Sequence, residues 1–393
     1  MTAPDERPTP HERSSLPERP ALSDRPDPAE RPGPDELPAL AGRTTLGVGG
    51  PPRAFVRAGS ERALVAAVDA CVRRGEPYFV LGGGSNVVAS DEGFAGTVVA
   101  VEGRGLDIRR APGGGAVLVE AAAGEPWDDL VARCVGEGLA GLECLSGIPG
   151  LVGATPIQNV GAYGQEVSDV IESVRAYDPA SGRVEALSAE ACGFAYRDSA
   201  FKREGPGRRV VLSVVFRLRA GPPSPPRYAE LARALDGAAL DLGRVREAVI
   251  ALRRSKSMVV DPGDPDSRSA GSFFTNPVLE ASALGGLRGR LEAAGVLAPG
   301  EALPSFDAGP GRVKVAAAWL IERAGVKKGE RFGGAAVSRA HALAIVNRGG
   351  ASAADVVGLA RHVRARVYER CGVLLEPEPV FVGFGPEPLG RPG

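Results

Sequence analysis

At 393 residues, with 44% hydrophobic and 24% charged side chains, the chain is long enough for two or three domains and a sizeable core. A formal net charge of −1 provides no overall field for nucleic acid or an acidic membrane. No apolar run approaches the ~20 residues that span a bilayer, and the polar, Pro-rich start shows no signal peptide, so a cytoplasmic protein is expected.

Residues 1–40 are rich in proline, lack aromatics and carry an acid–Arg pair every six residues, from Glu6-Arg7 to Glu30-Arg31. A six-residue period gives neither a helix nor a strand a face, so a disordered tail is expected. Order is expected from Thr44. Ser60 can cap a helix with the stripe Leu64, Val65, Val68 and Val72, stopped by Gly75. YFVL (78–81) reads as a buried strand, Gly82-Gly83-Gly84-Ser85-Asn86 as a glycine loop, and TVVAV (97–101) as a second strand. The intervening VVASDEGFAG reads as a loop. A strand over 117–121 and a helix over Trp127–Val135 follow.

The stretch 138–167 (GLAGLECLSGIPGLVGATPIQNVGAYGQEV) is long for an irregular segment in a compact domain, which marks it as functional. Strands over 171–177 and 210–217 bracket a loop containing FAYRDSAFK (194–202). GPPSPPR (221–227) reads as a linker. Helices are expected near 244–254, 314–324 and 353–370. The last is marked by Ser352 and Asp355 at its start, the stripe Val356, Leu359, Val363 and Val367, and Gly372 at its end. VFVGF (380–384) closes the chain as a strand. The five cysteines (Cys71, Cys134, Cys144, Cys192, Cys371) are scattered, with no C-x-x-C, which points to reduced thiols and away from a zinc site.

Consecutive glycines after a strand let backbone N–H groups turn towards a phosphate. Gly82–Asn86 is neither the G-x-G-x-x-G fingerprint nor a Walker A loop, so alone it is as compatible with a plain turn. A second glycine-rich stretch, Gly147-Ile148-Pro149-Gly150 and Gly153 through Gly164, offers many backbone donors with little apolar period. Two such wraps suggest an extended dinucleotide. Arg197, in Tyr196-Arg197-Asp198-Ser199, is either a surface ion pair or a bidentate carboxylate clamp. Ser272, in SAGSFFTNPV (269–278), sits on what reads as a tight glycine turn. A nucleophilic serine needs a base, and His341 and His362 stand in no triad context. Glu378, between prolines, reads on its own as a solvated loop residue. Arg361, Arg364, Arg366 and Arg370 on the last helix read as a solvated face.

LGGGSNVV, GIPGLVGATPIQNVGAYGQEV, FAYRDSAFK, AGSFFTNPV, AAAWLIERAG, HALAIVNRGGASAADVV and LEPEPVFVG occur together, in order, across residues 44–384. With this set the chain resembles the UDP-N-acetylenolpyruvoylglucosamine reductase (UDP-N-acetylmuramate dehydrogenase) family of peptidoglycan precursor synthesis, in its longer type with a substrate-loop tyrosine. The resemblance implies an α+β fold: a two-subdomain FAD-binding half of the vanillyl-alcohol-oxidase-like type, followed by an α+β substrate domain. It divides the chain at 41–105, 106–220 and 221–378, with the final strand (379–386) returning to the first subdomain.

Carried over from the family, Arg197, Ser272 and Glu378 form the catalytic trio. The FAD contacts come from Gly82, Gly83, Gly84, Ser85 and Asn86, then Gly147, Ile148, Pro149 and Gly150. They continue through Gly153, Ala154, Gln158 and Asn159 to Gly161, Ala162, Tyr163 and Gly164. Tyr228, Lys256 and Asn276 match substrate positions. FAD is expected to be non-covalent, since no histidine lies in either glycine-rich segment, with NADPH as reductant and no metal. The implied partners are UDP-N-acetylglucosamine enolpyruvate and NADPH, and the protein is expected to be a monomer. In this setting Ser272 needs no base: it would donate a proton, while Arg197 stabilises charge developing on the substrate carboxylate. Glu378 would hydrogen-bond as a neutral acid or orient its neighbours. A serine hydrolase, a non-catalytic nucleotide-binding module and a different flavin oxidase are the competing readings.

Overall fold

The structure, a computed structural model, describes residues 37–237 and 240–390; most of the Pro-rich tail lies outside the described residues. Residues 37–40, assigned to that tail on composition, belong to the fold. Leu40 opens a short 3-10 turn, Leu40–Arg43, and is buried in a cluster with Phe55, Leu81 and Val382. One leucine in a Pro-rich run has no period, so nothing local announces its burial.

Ser60 caps the helix Glu61–Arg73 by accepting the Ala63 N–H. Its buried stripe is Leu64, Val68 and Cys71, while Val72 falls off the edge and is exposed. The helix leads into Tyr78–Leu81, which pairs in parallel with Phe94–Val101. Pro52–Ala58 pairs with the other side of Phe94–Val101 as an edge strand, where its leading proline is tolerated. Val87–Ala89, expected within a loop, is instead a strand paired in parallel with Val380–Val382. Its partner lies at the far end of the chain, so only tertiary folding supplies the ladder.

An antiparallel sheet follows in the order Arg183–Ser188, Ile171–Asp178, Val210–Ala220, Val117–Ala122, Leu106–Arg110. The helix Trp127–Gly136 packs on it through Trp127, which is fully buried with its ring 5.9 Å from that of Phe216. The indole N–H donates to the Leu145 carbonyl at 3.0 Å and so anchors the entry to the glycine-rich stretch. Truncation of so buried an indole typically costs about 3–5 kcal/mol.

GPPSPPR leads to an unanticipated helix, Ala229–Leu235, whose Leu231 is buried with Cys144, Val245 and Val249. The next helix, Leu242–Ser255, is capped by Asp241. The helix Ala353–Cys371 packs on an antiparallel sheet built on Ser269–Ser272 and Ala344–Asn347, and a second antiparallel sheet is built on Val278–Glu280 and Arg312–Val315. Both halves of the Ser352/Asp355 capping box form, and Gly372 ends the helix at φ +64°. The helix expected over 314–324 is a strand, Arg312–Val315, followed by the helix Ala317–Arg323. Asn276 Oδ1 accepts the Ala317 N–H and thereby sets the later start. Arg364, expected on a solvated face, is buried and donates to the Leu375 carbonyl at 2.9 Å. Among the described residues no helix is long and apolar enough to cross a membrane.

Candidate active site

The two glycine-rich segments meet backbone to backbone. A Cβ on Gly83 would lie 2.8 Å from the Gly150 Cα, so side chains there would push the loops apart. Ser85 Oγ donates to the Pro149 carbonyl at 3.1 Å and locks the junction. Gly153 fits against the sheet in the same way: its Cβ would stand 2.6 Å from that of Ala123. At this meeting point lie two adjoining cavities of about 290 and 310 Å3, with Ser85, Asn86, Ala154, Gln158 and Glu378 in the walls of both. Gly82, Gly83, Gly84 and Gly153 line the smaller one; Ile148, Pro149, Gly150, Gly161, Ala162 and Tyr163 line the larger.

Three of the expected contact residues, Gly147, Asn159 and Gly164, line neither cavity. The Gly147 N–H donates to Asp128, and the Gly164 carbonyl accepts from Arg227. Asn159 is buried and cross-links the loop, donating to Glu166 and to the Ala195 carbonyl, both at 2.9 Å.

Arg197, Ser272 and Glu378, from three distant segments, face the larger cavity together. Arg197 occupies a tight turn closed by hydrogen bonds between Ala195 and Asp198, with φ +53°. Its Nε–H points to Glu378 Oε1 at 3.3 Å, while Nη1 and Nη2 donate to the carbonyls of Asn159 and Gly161 at 3.3 and 2.6 Å. One N–H on each terminal nitrogen is left over from these contacts, a pair suited to a carboxylate. Asn159, Tyr163 and Arg197 are three of the five non-glycine residues with left-handed φ among the described residues. Such strain costs about 1–3 kcal/mol at each position and collects at functional sites.

Ser272 ends a strand rather than a turn. It pairs with Ala344, and Gly271 at φ +74° lies in the register shift that precedes it. The Phe273 N–H donates to the Leu343 carbonyl at 2.7 Å, and the Glu378 N–H to the Phe273 carbonyl at 2.9 Å, so one backbone network holds both residues. Phe273 and Phe274 are fully buried behind it. Burial raises the Glu378 carboxyl above the usual range, opposed by Arg197 and Lys202.

The larger cavity also gathers Tyr228, Lys256, Glu230, Arg253 and His341. Lys256 Nζ donates to Glu230 at 2.6 Å and stands 5.5 Å from the Tyr163 ring centre. Asn276 lines a neighbouring cavity that shares Arg197 with the larger one, and its Oδ1 serves as the helix cap. Arg253, Glu230 and His341 were missed from the sequence. A lone arginine or histidine without a spaced companion resembles any other, although Arg253 lies one helical turn before Lys256. Burial pushes the His341 imidazole down to about 4, and its Nδ1 accepts the Leu343 N–H at 3.1 Å. Among the described residues no hydrogen bond joins it to Ser272, so a hydrolase reading gains no base here.

The residues fit a flavin dinucleotide. The cradle is formed by glycines packed where side chains would clash with neighbouring segments, and it opens on a cavity walled mainly by apolar side chains, Phe79, Val80, Ile157 and Phe201 among them. Arg253 lines the larger cavity, and among the described residues its Nε is the buried side-chain polar atom without a hydrogen-bond partner. Burial lowers this guanidinium to about 10, so it remains charged at neutral pH. Among the described residues no cluster of three or more metal-ligating side chains occurs.

Residues 52–188 match an FAD binding domain family, and residues 264–382 match the C-terminal domain of UDP-N-acetylenolpyruvoylglucosamine reductase. The chain is 53% identical over 348 residues to the UDP-N-acetylenolpyruvoylglucosamine reductase of Thermobifida fusca, covering 88% of this chain and 96% of that one. It is 51% identical over 350 residues to the enzyme of the same name from Saccharopolyspora erythraea, with 88% and 94% covered. The crystal structure of the reductase from Thermus caldophilus superposes with a TM-score of 0.60 at 28% identity, covering 88% of this chain and 98% of that one. The chain therefore carries an FAD-binding domain and belongs to the UDP-N-acetylenolpyruvoylglucosamine reductase family.

Proposed function

We propose that the protein reduces the enolpyruvyl ether of UDP-N-acetylglucosamine to UDP-N-acetylmuramate in peptidoglycan precursor synthesis. The observation that carries this reading is the convergence of Arg197, Ser272 and Glu378 on one cavity beside the glycine cradle. Gly82–Asn86 and the 148–163 segment hold FAD non-covalently. When bound, FAD supplies a hydride equivalent that originates from NADPH.

The chain's own residues govern charge and protons. Reduction of an enol ether conjugated to a carboxylate leaves negative charge on the carboxylate and the carbon beside it. Arg197, held by two backbone carbonyls and Glu378, offers its remaining N–H groups to that charge without having to reorganise. Ser272 donates its hydroxyl proton to the carbon that bears the ether oxygen. A hydroxyl is a weak acid, but the acceptor is far more basic than water. Glu378, whose carboxyl is raised by burial and opposed by Arg197 and Lys202, orients Arg197. Lys256 and Tyr228 take the diphosphate end of the substrate.

The proposal assigns residues 37–105 and the final strand to the first FAD subdomain, 106–220 to the second, and 221–378 to the substrate domain. It also takes the protein to be a cytoplasmic monomer, in keeping with five buried, unpaired cysteines. The test is spectroscopic. Purified protein is expected to be yellow, to bleach with NADPH, and to regain colour when the enolpyruvyl substrate is added. Flavin should leave on denaturation. A colourless protein that takes up no FAD, or a bleached one indifferent to the substrate, overturns the reading.

A further inference from the structure

We propose that Glu230 is a built-in competitor of the ligand diphosphate: it pairs with Lys256 and must be displaced for a nucleotide diphosphate to bind. This rests on the reading that Lys256 takes the substrate diphosphate. Glu230 sits in the first turn of the helix Ala229–Leu235, two residues after Tyr228. The segment borders the larger cavity through Tyr228 and Glu230 and is held by three attachments. Arg227 donates to the Gly164 carbonyl at 3.2 Å, Tyr228 meets Tyr163 edge-on with ring centres 6.4 Å apart, and Glu230 accepts from Lys256 at 2.6 Å. Leu231, fully buried, pins the helix to its neighbour Leu242–Ser255.

The helix is therefore fixed while its carboxylate is not. Glu230 keeps 38% of its side chain exposed, so it can swing into water without unfolding anything. An ammonium is a compact charge with three donors, and a doubly anionic phosphate pair on the same nitrogen would stand beside the carboxylate at short range. The two anions exclude each other. Glu230 neutralises Lys256 and holds it over the Tyr163 ring. When the ligand enters, the exchange of one anion for another releases the carboxylate to solvent. The consequence is a discrimination built into the site: a ligand must carry enough negative charge to win the exchange, which favours a diphosphate over a neutral sugar.

The test is titration calorimetry of uridine diphosphate into the full-length, FAD-loaded protein. Glu230→Gln keeps the shape and removes the charge. It is expected to tighten binding about two- to fivefold, the size of a partly exposed ion pair's contribution. Lys256→Met is expected to weaken binding, and the doubly substituted protein should show little of the gain. A tightened complex is diagnostic, since damage to the fold weakens binding. Unchanged or weaker binding in Glu230→Gln, with Lys256→Met still weakened, overturns the competitor role and leaves the Lys256 reading standing. Unchanged binding in Lys256→Met removes both.

Discussion

Substituting Ser272 by alanine separates a chemical role from a structural one. The hydroxyl makes no hydrogen bond to a described residue, and the strand is held by backbone bonds that alanine preserves, among them Phe273 N–H to the Leu343 carbonyl. The stability change is therefore expected to stay within about 0.5 kcal/mol. Loss of a proton donor is larger: general acid catalysis contributes ~10²–10⁴-fold, or about 3–5 kcal/mol of barrier. Stopped-flow absorbance at the oxidised-flavin band resolves the two halves of turnover. Bleaching by NADPH should proceed at close to the normal rate, because the hydroxyl acts only on the second substrate. Recovery of colour on adding the enolpyruvyl substrate should collapse by at least the factor above. Ser272→Cys should restore part of it, since a thiol also donates a proton. Normal recovery in Ser272→Ala, or a melting temperature lowered by many degrees, would refute the proton-donor argument.

Arg197→Lys is expected to lose most substrate reduction despite keeping the charge, because one ammonium cannot serve Glu378, two backbone carbonyls and a carboxylate together; near-normal kcat would remove Arg197 from the mechanism. Asp128→Asn should lower both melting temperature and FAD affinity, since Asp128 ties the Gly147 N–H at 2.6 Å to Arg246, donating at 2.6 and 2.8 Å. Burial works to raise the Asp128 carboxyl, but the Arg246 hydrogen bonds and the Gly147 N–H outweigh it and lower it overall. A depressed folded-state value stabilises above the unfolded value of ~3.9 and is lost as pH falls through the folded one. The gap between the melting curves of the two proteins should thus begin to narrow as pH falls below about 4 and close only below the lower folded-state value, and a gap that stays constant on acidification would count against the pair. Leu40→Ala should destabilise the protein by about 2–3 kcal/mol in urea unfolding, whereas a negligible change would return Leu40 to the tail.

Elements with a complete local signal were legible in the sequence. Ser60, Ser352 with Asp355, and Gly372 stand where the capped helices Glu61–Arg73 and Ala353–Cys371 begin and end, because a cap and a stripe act within a few residues of each other. The glycine segments were legible too. Their meaning is that no side chain fits, and residue identity alone carries that. The family followed from motifs that no single-residue argument could have joined.

The pairings across the chain were decided only in three dimensions. Val87–Ala89 is a strand because Val380–Val382 lies beside it, and the helix at Ala317 starts late because Asn276 caps it from another segment. Arg253, His341 and Glu230 became site residues in the same way, since burial and neighbours give a lone ionisable group its charge state and its task. Sequence by itself determined which backbone stretches could approach a ligand and which helices could form. The tertiary structure decided which distant side chains face one cavity, because the desolvation and Coulomb interactions that tune them depend on distances the chain acquires only on folding.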